Sequence, residues 1–205
     1  MPKRALVVID VQNEYVNGNL RIEYPEVSQS IGNIGMAMDA ALASGVLIVV
    51  VQTVAPSGSP IFAAGSSGAD LHSEVARRGR DHFVLKALPS SFAGTDLGSW
   101  LKDREVETLV VCGFMTHNCD FATASDAVHA GYSVEFLADA SGSVPYANRA
   151  GSASAEELHR GFCVVMQSRF ASVLATSEWI AGLASGQMPG GDSIYCSNQR
   201  AVRRG

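Results

Sequence analysis

Long apolar runs are missing from this 205-residue sequence. No run reaches the roughly 18 residues that a membrane-spanning helix needs. The opening residues, MPKRALVVID, also lack the long apolar region and the cleavage site of a signal peptide. We therefore expect a cytoplasmic protein that does not insert into a membrane.

An excess of positive charge is also absent. Lysine and arginine number 15 against 20 aspartates and glutamates, which gives a formal net charge of −5 at pH 7. Such a chain has no overall basic field to attract nucleic acid or an anionic membrane surface. We expect its partners to be a small-molecule substrate and other protein subunits.

Cysteine is scarce, and no CxxC pair occurs. The four cysteines are Cys112, Cys119, Cys163 and Cys196. Their spacing excludes a zinc knuckle and a thioredoxin-type redox pair, and in a reducing cytosol each should be a free thiol. A free cysteine is most often a small buried apolar residue. The apolar flanks of Cys112 and Cys163 fit that role.

Apolar, β-branched runs alternate with helix-like stretches along the chain. The predicted strands are Ala5 to Ile9, Val46 to Val51, Phe83 to Leu85, Leu109 to Cys112, Val134 to Leu137 and Ser172 to Leu174. The predicted helices are Glu26 to Leu42, Leu71 to Ala76, Leu97 to Asp103, Cys119 to Ala130, Ala155 to Met166 and Ser177 to Leu183. Strands without polar alternation are buried on both faces, and strand–helix alternation implies parallel crossovers. The predicted fold is α/β, with a mainly parallel six-stranded sheet between two helical layers.

Two segments interrupt this alternation. The stretch 54–70 is rich in Gly, Ser and Pro and is long for a connection, so it is either a mobile loop or part of a pocket wall. The tail 186–205 shows no periodicity and is either frayed or packed on a partner subunit. We therefore predict one domain over residues 1–185, followed by this tail.

Three reactive residues follow or close predicted strands. Asp10 follows the first strand, Lys86 follows the third, and Cys119 lies just past the fourth. The carboxyl ends of parallel strands meet at one edge of the sheet, where ligands bind in such folds. Each residue alone has an ordinary explanation as a cap, a solvated charge or a core thiol. Their coincidence at one edge predicts a site.

The residue types suggest a nucleophilic mechanism. A thiol at a helix N-terminus lies near unpaired N–H groups that favour the thiolate, and a nearby ammonium would favour it further. Asp10 is a candidate general base and then acid. The turn before Cys119 offers main-chain N–H groups to a substrate oxyanion.

Around these residues the sequence resembles the isochorismatase-like cysteine hydrolase superfamily. This superfamily includes isochorismatases, nicotinamidases, N-carbamoylsarcosine amidohydrolases and streptothricin hydrolase. The resemblance lies in LVVIDVQNEY at the first strand, VLKALPSSFAGTDL around the lysine and GFMTHNC before the thiol, and it spans roughly residues 5–180. It implies the isochorismatase-like, Rossmann-like fold and the activity of a cysteine amidohydrolase.

The resemblance also implies roles for individual residues. Asp10, Lys86 and Cys119 would form the catalytic triad, with Cys119 as the nucleophile. A cis peptide between Phe114 and Met115 would direct the N–H groups of Met115 and Cys119 at the oxyanion. Attack on an amide-type carbonyl would release an amine, and water activated by Asp10 would hydrolyse the thioester.

One segment departs from the nicotinamidase pattern. Nicotinamidases carry an Asp-x-His pair and a further His after the second strand to hold a metal, whereas this chain reads VQTVAP at residues 51–56. We therefore expect no metal and no other cofactor. His72, His82, His129 and His159 lack ligand spacing, and for each we predict a surface or capping role.

Substrate contacts are predicted only from position in the sequence. Tyr15, Phe62 and Phe92 are candidate aromatic wall residues, Gln12 could orient water or a polar group, and His117 lies inside the nucleophile's turn. A vinyl ether hydrolase, a noncatalytic subunit with this fold and a peroxide-sensing thiol remain alternatives. We also expect a homo-oligomer, either a dimer or a tetramer.

Overall fold

The computed structural model describes residues 3–203 and confirms the predicted three-layer α/β fold. Six parallel strands form the central sheet: β1 (Arg4–Ile9), β2 (Leu47–Thr53), β3 (His82–Lys86), β4 (Thr108–Phe114), β5 (Ser133–Gly142) and β8 (Ser172–Leu174). Their order across the sheet is β3-β2-β1-β4-β5-β8. A two-stranded antiparallel hairpin, β6 (Tyr146–Asn148) and β7 (Gly151–Ala153), was not predicted from the sequence.

Helices cover both faces of the sheet. The α-helices are α1 (Glu14–Asn17), α2 (Val27–Ala43), α3 (Ser73–Ala76), α4 (Leu97–Asp103), α5 (Phe121–His129), α6 (Ala155–Arg169), α7 (Thr176–Ser185) and α8 (Ile194–Val202). Buried side chains of α2 and α7 pack on one face, and those of α4, α5 and α6 pack on the other. No helix in residues 3–203 is long and apolar enough to cross a membrane.

Side chains of β1 alternate between the two cores. Leu6 and Val8 belong to the α2 side, whereas Val7 and Ile9 belong to the α4 side, and all four are fully buried. Burial of one such aliphatic side chain contributes about 1.5–3 kcal/mol. A strand that is apolar on both faces fits only the middle of a covered sheet, which is where β1 lies, between β2 and β4.

The segment after β4 differs from the prediction. The helix expected from Cys119 to Ala130 begins with a π-helical turn, Thr116–Asp120, in which the Asp120 N–H donates to the Met115 carbonyl. The α-helix proper follows from Phe121. A π-helical turn inserts one extra residue into the helical path and is common at functional sites. Cys119 therefore lies within this turn and not at the first turn of an ordinary helix.

The C-terminal segment folds against its own chain. Ser193 caps α8 by accepting from the Cys196 N–H, and the Ser168 hydroxyl of α6 lies 3.2 Å from that of Ser197. The Asp192 N–H donates to the Gln167 carbonyl. Packing of this tail on a partner subunit stays a prediction.

Candidate active site

Four neighbouring strands bring the candidate catalytic residues together. Lys86 ends β3, Thr53 ends β2, Asp10 directly follows β1, and Cys119 follows β4. Since parallel strands lie about 4.8 Å apart, the lysine must reach across β2 to meet Asp10. Thr53, the register partner of Lys86 on β2, is small enough to allow this.

The resulting contacts join all three predicted triad residues. Lys86 Nζ lies 2.6 Å from Asp10 Oδ2 and 3.3 Å from Cys119 Sγ. Thr53 Oγ1 accepts from Lys86 at 2.8 Å and donates to Asp10 Oδ1 at 3.1 Å. Sequence reasoning missed Thr53, although its place at the end of a strand on the same edge could have indicated it.

The backbone adopts unusual conformations at Asp10 and just before the turn that carries Cys119. Asp10 has φ of 52°, a left-handed conformation that costs a non-glycine residue free energy. Gly113, just before the turn, has φ of 121°, and a Cβ there would lie 2.0 Å from the Ile9 carbonyl oxygen. The chain therefore requires glycine where β4 passes the end of β1. The peptide between Phe114 and Met115 is cis.

Burial dominates the proton affinities of the triad. Burial raises the pKa of Cys119 well above its usual value, the Asp10 charge raises it further, and Lys86 only partly opposes this. The sequence predicted that the helix end and the lysine would favour the thiolate. Lys86 does act in that direction, but the desolvation of a buried thiolate opposes it more strongly, so the pKa of Cys119 is raised and the thiol is favoured.

The acid and the lysine behave as a coupled pair. Burial raises the pKa of Asp10 and the Lys86 charge opposes that rise. Burial alone would lower the pKa of Lys86, but the charges of Asp10 and Cys119 raise it. Lys86 is therefore a fixed ammonium, and Asp10 is a carboxylate with increased proton affinity. A base of this kind is well suited to accept a thiol proton.

A cavity of about 370 Å³ opens beside the triad and is lined mainly by apolar groups. Its walls come from α1, the 54–70 segment, the residues after β3, the π-helical turn and the β6–β7 hairpin. The lining residues are Tyr15, Leu20, Thr53, Ala55, Ile61, Phe62, Lys86, Ala87, Leu88, Pro89, Met115, Asn118, Cys119 and Tyr146. The 54–70 segment therefore forms part of the pocket wall.

The predicted contact residues separate into two groups. Tyr15 and Phe62 line the cavity, with ring centroids 5.2 Å apart. Within the described residues, Gln12, Phe92 and His117 are not among those that line it. The Gln12 amide donates to the backbone carbonyls of Thr53 and Ala69 and so joins the pocket wall to β2.

The remaining two residues have other contacts. Phe92 packs in the α4-side core near Tyr132. His117 Nδ1 lies 2.9 Å from Ser143 Oγ, and its ring meets Tyr146 edge-on. Sequence reasoning missed Tyr146 as a wall residue because it missed the hairpin that carries it.

Of the four histidines that were predicted to have a surface or capping role, three agree with the structure and His159 does not. His72 caps α3 by accepting from the Glu74 N–H, His82 pairs with exposed Asp96, and His129 is exposed. His159 is buried, with Nδ1 2.8 Å from Thr116 Oγ1. It lies on the inner face of α6, and the helical pattern alone did not reveal that face.

Within residues 3–203, no group of three or more His, Cys, Asp or Glu side chains is placed to hold a metal ion. The expectation that the reaction uses no metal stays a prediction.

Comparisons with known proteins give a consistent family assignment. The family model for the isochorismatase domain matches residues 4–178. A crystal structure of an isochorismatase-type protein from Burkholderia xenovorans LB400 has a TM-score of 0.98 and 60% identity, covering 99% of this chain and 98% of that one. The uncharacterised isochorismatase family protein YddQ of Bacillus subtilis is 29% identical, covering 86% of this chain and 98% of its own.

A relative with a stated activity matches over a smaller part of both chains. Streptothricin hydrolase of Streptomyces noursei is 33% identical over 137 residues, which is 67% of this chain and 49% of that protein. Together with the strand order and the residues at the carboxyl edge of the sheet, these matches show that the chain belongs to the isochorismatase family of hydrolases.

Proposed function

We propose that this protein is a metal-independent cysteine hydrolase that cleaves an amide-type C–N bond of a small, uncharged compound. The observation that carries the proposal is the position of Lys86 Nζ, 2.6 Å from Asp10 and 3.3 Å from Cys119, on the wall of an apolar cavity. A buried nucleophile, base and cation in mutual contact are what acyl transfer requires.

The first half of the reaction forms a thioester. Asp10 takes the proton from Cys119 Sγ as the sulfur attacks the substrate carbonyl carbon, and the C–O π electrons move to the oxygen. The N–H groups of Met115 and Cys119 stabilise that oxyanion in this proposal. Collapse of the intermediate breaks the C–N bond, and Asp10 returns its proton to the leaving nitrogen.

The second half regenerates the thiol. Asp10 removes a proton from water, and the resulting hydroxide attacks the thioester carbon. The carboxylic acid product leaves as the C–S bond breaks, and the proton on Asp10 returns to Cys119. Lys86 stabilises the negative charge of Asp10 and Cys119 throughout, since its ammonium contacts both groups.

The cavity lining supports an uncharged substrate. Among the described lining residues, Lys86 is the only cationic side chain, and it is already paired with Asp10. A dicarboxylate such as the substrate of a vinyl ether hydrolase would enter without a free cation to compensate its charge. Tyr15, Phe62 and Tyr146 instead offer ring surface to an apolar or aromatic acyl group.

The proposal is tested by hydrolysis of a panel of small amides, scored by ammonia release and, for the lactam, by the mass increase on ring opening. Nicotinamide, pyrazinamide, an N-carbamoyl amino acid and a streptothricin-type lactam are incubated with the wild-type protein and with Cys119→Ala. Cys196→Ala serves as the matched control, because this thiol is exposed on α8, away from the cavity. We expect turnover of at least one uncharged amide, unchanged in the control and abolished in Cys119→Ala.

The same panel includes a vinyl ether dicarboxylate. If this compound is hydrolysed and the activity survives Cys119→Ala, the thioester mechanism is wrong. If no compound turns over and Cys119 shows no more reactivity toward iodoacetamide than Cys112, the noncatalytic reading is supported instead.

The assembly and the cellular location remain to be measured. A homo-oligomer stays a prediction, and light scattering of the purified protein would show whether a dimer or a tetramer forms. The cytoplasmic location also stays a prediction.

A further inference from the structure

Asp120, the residue after the nucleophile, is fully buried and takes no part in the mechanism above. Its Oδ2 lies 2.5 Å from Ser141 Oγ on β5. Ser141 Oγ lies 2.8 Å from Thr116 Oγ1, which in turn lies 2.8 Å from His159 Nδ1 on α6. Four polar side chains thus form one buried hydrogen-bonded chain, which we call the Asp120 chain, from the nucleophile's turn to α6.

The number of hydrogens in the Asp120 chain is limited. Three short gaps separate its four side chains, and each gap needs one hydrogen, since two lone pairs facing each other at 2.5–2.8 Å would repel. The Gly142 carbonyl, 3.2 Å from Thr116 Oγ1, is a longer alternative acceptor, but a Thr116 hydrogen directed there would leave one of the short gaps without a hydrogen. Ser141 and Thr116 have one hydroxyl hydrogen each. The third hydrogen must come from one end of the chain, either from the Asp120 carboxyl group or from His159 Nδ1.

His159 has a single ring hydrogen near neutral pH. Burial lowers the pKa of His159 to about 4, with smaller contributions from Arg160 and His117. When Asp120 is ionised, His159 must therefore donate from Nδ1, and every hydroxyl in the chain points toward Asp120. When Asp120 is neutral it donates to Ser141, every hydroxyl reverses, and the His159 hydrogen moves to Nε2, which faces Cys163 Sγ at 3.7 Å.

The second carboxylate oxygen favours the neutral form of Asp120. Oδ1 is buried and has no hydrogen-bond partner among the described residues. An ionised carboxylate with one such oxygen is costly, whereas a neutral acid tolerates it. Burial accordingly raises the pKa of Asp120 to about 7, while the bond from Ser141 opposes the rise.

The charge of Asp120 acts on the nucleophile. Ionised Asp120 raises the pKa of Cys119, together with burial and Asp10. Other titratable groups also face Asp120 from neighbouring elements: Asp10 after β1, Tyr15 on α1, Lys86 on β3, Cys112 on β4, and His159 and Cys163 on α6. Lys86 is the one cation of this set, and it is held by Asp10, which leaves ionised Asp120 without a counter-ion of its own.

We propose that Asp120 is a positioning residue for Cys119 that also modulates how readily its thiol loses a proton, and that the Asp120 proton is exchanged with the His159 ring through Ser141 and Thr116. The proposal rests on Cys119 as the nucleophile of the proposed function. Neutral Asp120 makes the Cys119 proton easier for Asp10 to remove, and ionised Asp120 makes it harder, because its charge adds to the effects of burial and of Asp10 on the thiol. Thr116 and Asp120 bracket the nucleophile's turn, so the same hydrogen bonds also fix its shape.

The proton balance of the exchange is closed. From the neutral state, the Asp120 proton passes to Ser141, the Ser141 proton to Thr116, and the Thr116 proton to His159 Nδ1. The His159 ring then carries two N–H groups and releases the one at Nε2 toward the Cys163 side of α6. The net change is one proton lost from Asp120 and a change of the His159 tautomer, with no electron transfer.

The first test is the His159 tautomer, read from long-range ¹H–¹⁵N NMR spectra of the wild-type protein between pH 5.5 and 9. The His159 signals are assigned by their loss in His159→Gln. We expect an Nε2–H ring at low pH and an Nδ1–H ring at high pH, with a midpoint near the Asp120 pKa of about 7. A tautomer that stays constant over this range overturns the proposal.

Variants then separate this coupling from a purely structural role. Asp120→Asn cannot ionise, so one tautomer should persist at every pH. Ser141→Ala opens the chain in the middle, and His159 should no longer follow Asp120. Asp126→Asn is the matched control, because Asp126 also accepts from a serine, Ser90 at 2.5 Å, but lies outside the chain. In Asp126→Asn, the His159 tautomer should change over the same pH range as in the wild type.

The last readout is the rate of Cys119 alkylation by iodoacetamide at pH 8.5. Removal of a neighbouring buried charge shifts a pKa by about one unit or more, which is about tenfold in thiolate population. We expect Asp120→Asn to react about tenfold faster than the wild type, and Asp126→Asn to react at the wild-type rate. Equal rates in all three proteins would overturn the proposal. Neither readout uses a substrate, so the failure of the proposed function would show separately, as absent amide turnover.

Discussion

Replacing Lys86 by methionine tests how the buried ion pair is balanced. The side chains of Lys86 and Asp10 are each 1% exposed, and their charged atoms lie 2.6 Å apart. Removing one partner of a buried pair costs about 3–5 kcal/mol, because the other charge stays buried without compensation. That is a large part of the roughly 5–15 kcal/mol by which a domain is usually stable.

The loss should depend on pH in a definite direction. Without Lys86, the folded-state pKa of Asp10 rises further above its unfolded value of about 3.9. A carboxyl with a raised folded pKa binds more protons in the folded state, so stability falls as pH rises through that window, by about 1.4 kcal/mol per unit. We expect the loss in free energy of unfolding of Lys86→Met, relative to wild type, to be about 1–2 kcal/mol larger at pH 8 than at pH 5.

Urea unfolding at the two pH values measures this difference, provided that the slope of free energy against urea is unchanged. The double variant Asp10→Asn, Lys86→Met removes both charges and should regain most of the stability lost at pH 8. A Lys86→Met variant that loses the same free energy at pH 5 and pH 8 would refute the reasoning. So would a double variant that is no more stable than the single one.

Three further changes have clear expectations. Cys119→Ser should lower kcat by roughly 10³-fold or more with the urea midpoint nearly unchanged, because a hydroxyl is a far weaker nucleophile at neutral pH; near-wild-type turnover would contradict the thioester mechanism. Ser154→Ala removes the hydroxyl that accepts from the Glu157 N–H and should cost about 1 kcal/mol in urea unfolding, with no change in kcat. Phe62→Ala widens the cavity beside Tyr15 and should raise KM for small amides more than it lowers kcat, which steady-state kinetics on two amides of different size would show.

The capping box illustrates what short-range patterns predict well. The sequence Ser154-Ala155-Glu156-Glu157 has the capping-box pattern, in which Ser154 and Glu157 satisfy each other's backbone N–H groups at the start of α6, and both bonds are present. The buried strands could be predicted equally well, because apolar runs with no polar alternation belong inside a covered parallel sheet. Elements without such a signal were missed, as with the short α1, the β6–β7 hairpin and α8.

Part of the candidate site could also be predicted from local sequence patterns. Residues that end parallel strands share one edge of the sheet, so Asp10 and Lys86 could be assigned to a common site without coordinates. Their distances could not be assigned, because they depend on strand order. Lys86 must reach across β2 to contact Asp10, and the small side chain of Thr53 at the end of β2 leaves room for it.

The sequence by itself thus determined the fold class and placed Asp10, Lys86 and Cys119 at one edge of the sheet, because periodicity and strand ends are local properties of the chain; their roles as a triad come from the family resemblance and stay a prediction. Only the tertiary structure showed that the pKa of Cys119 is raised, since burial is set by residues distant in sequence and opposes the effect of Lys86. The same is true of Asp120 and His159. They are 39 residues apart in sequence, and only the packing of α6 against the nucleophile's turn joins them through Ser141 and Thr116.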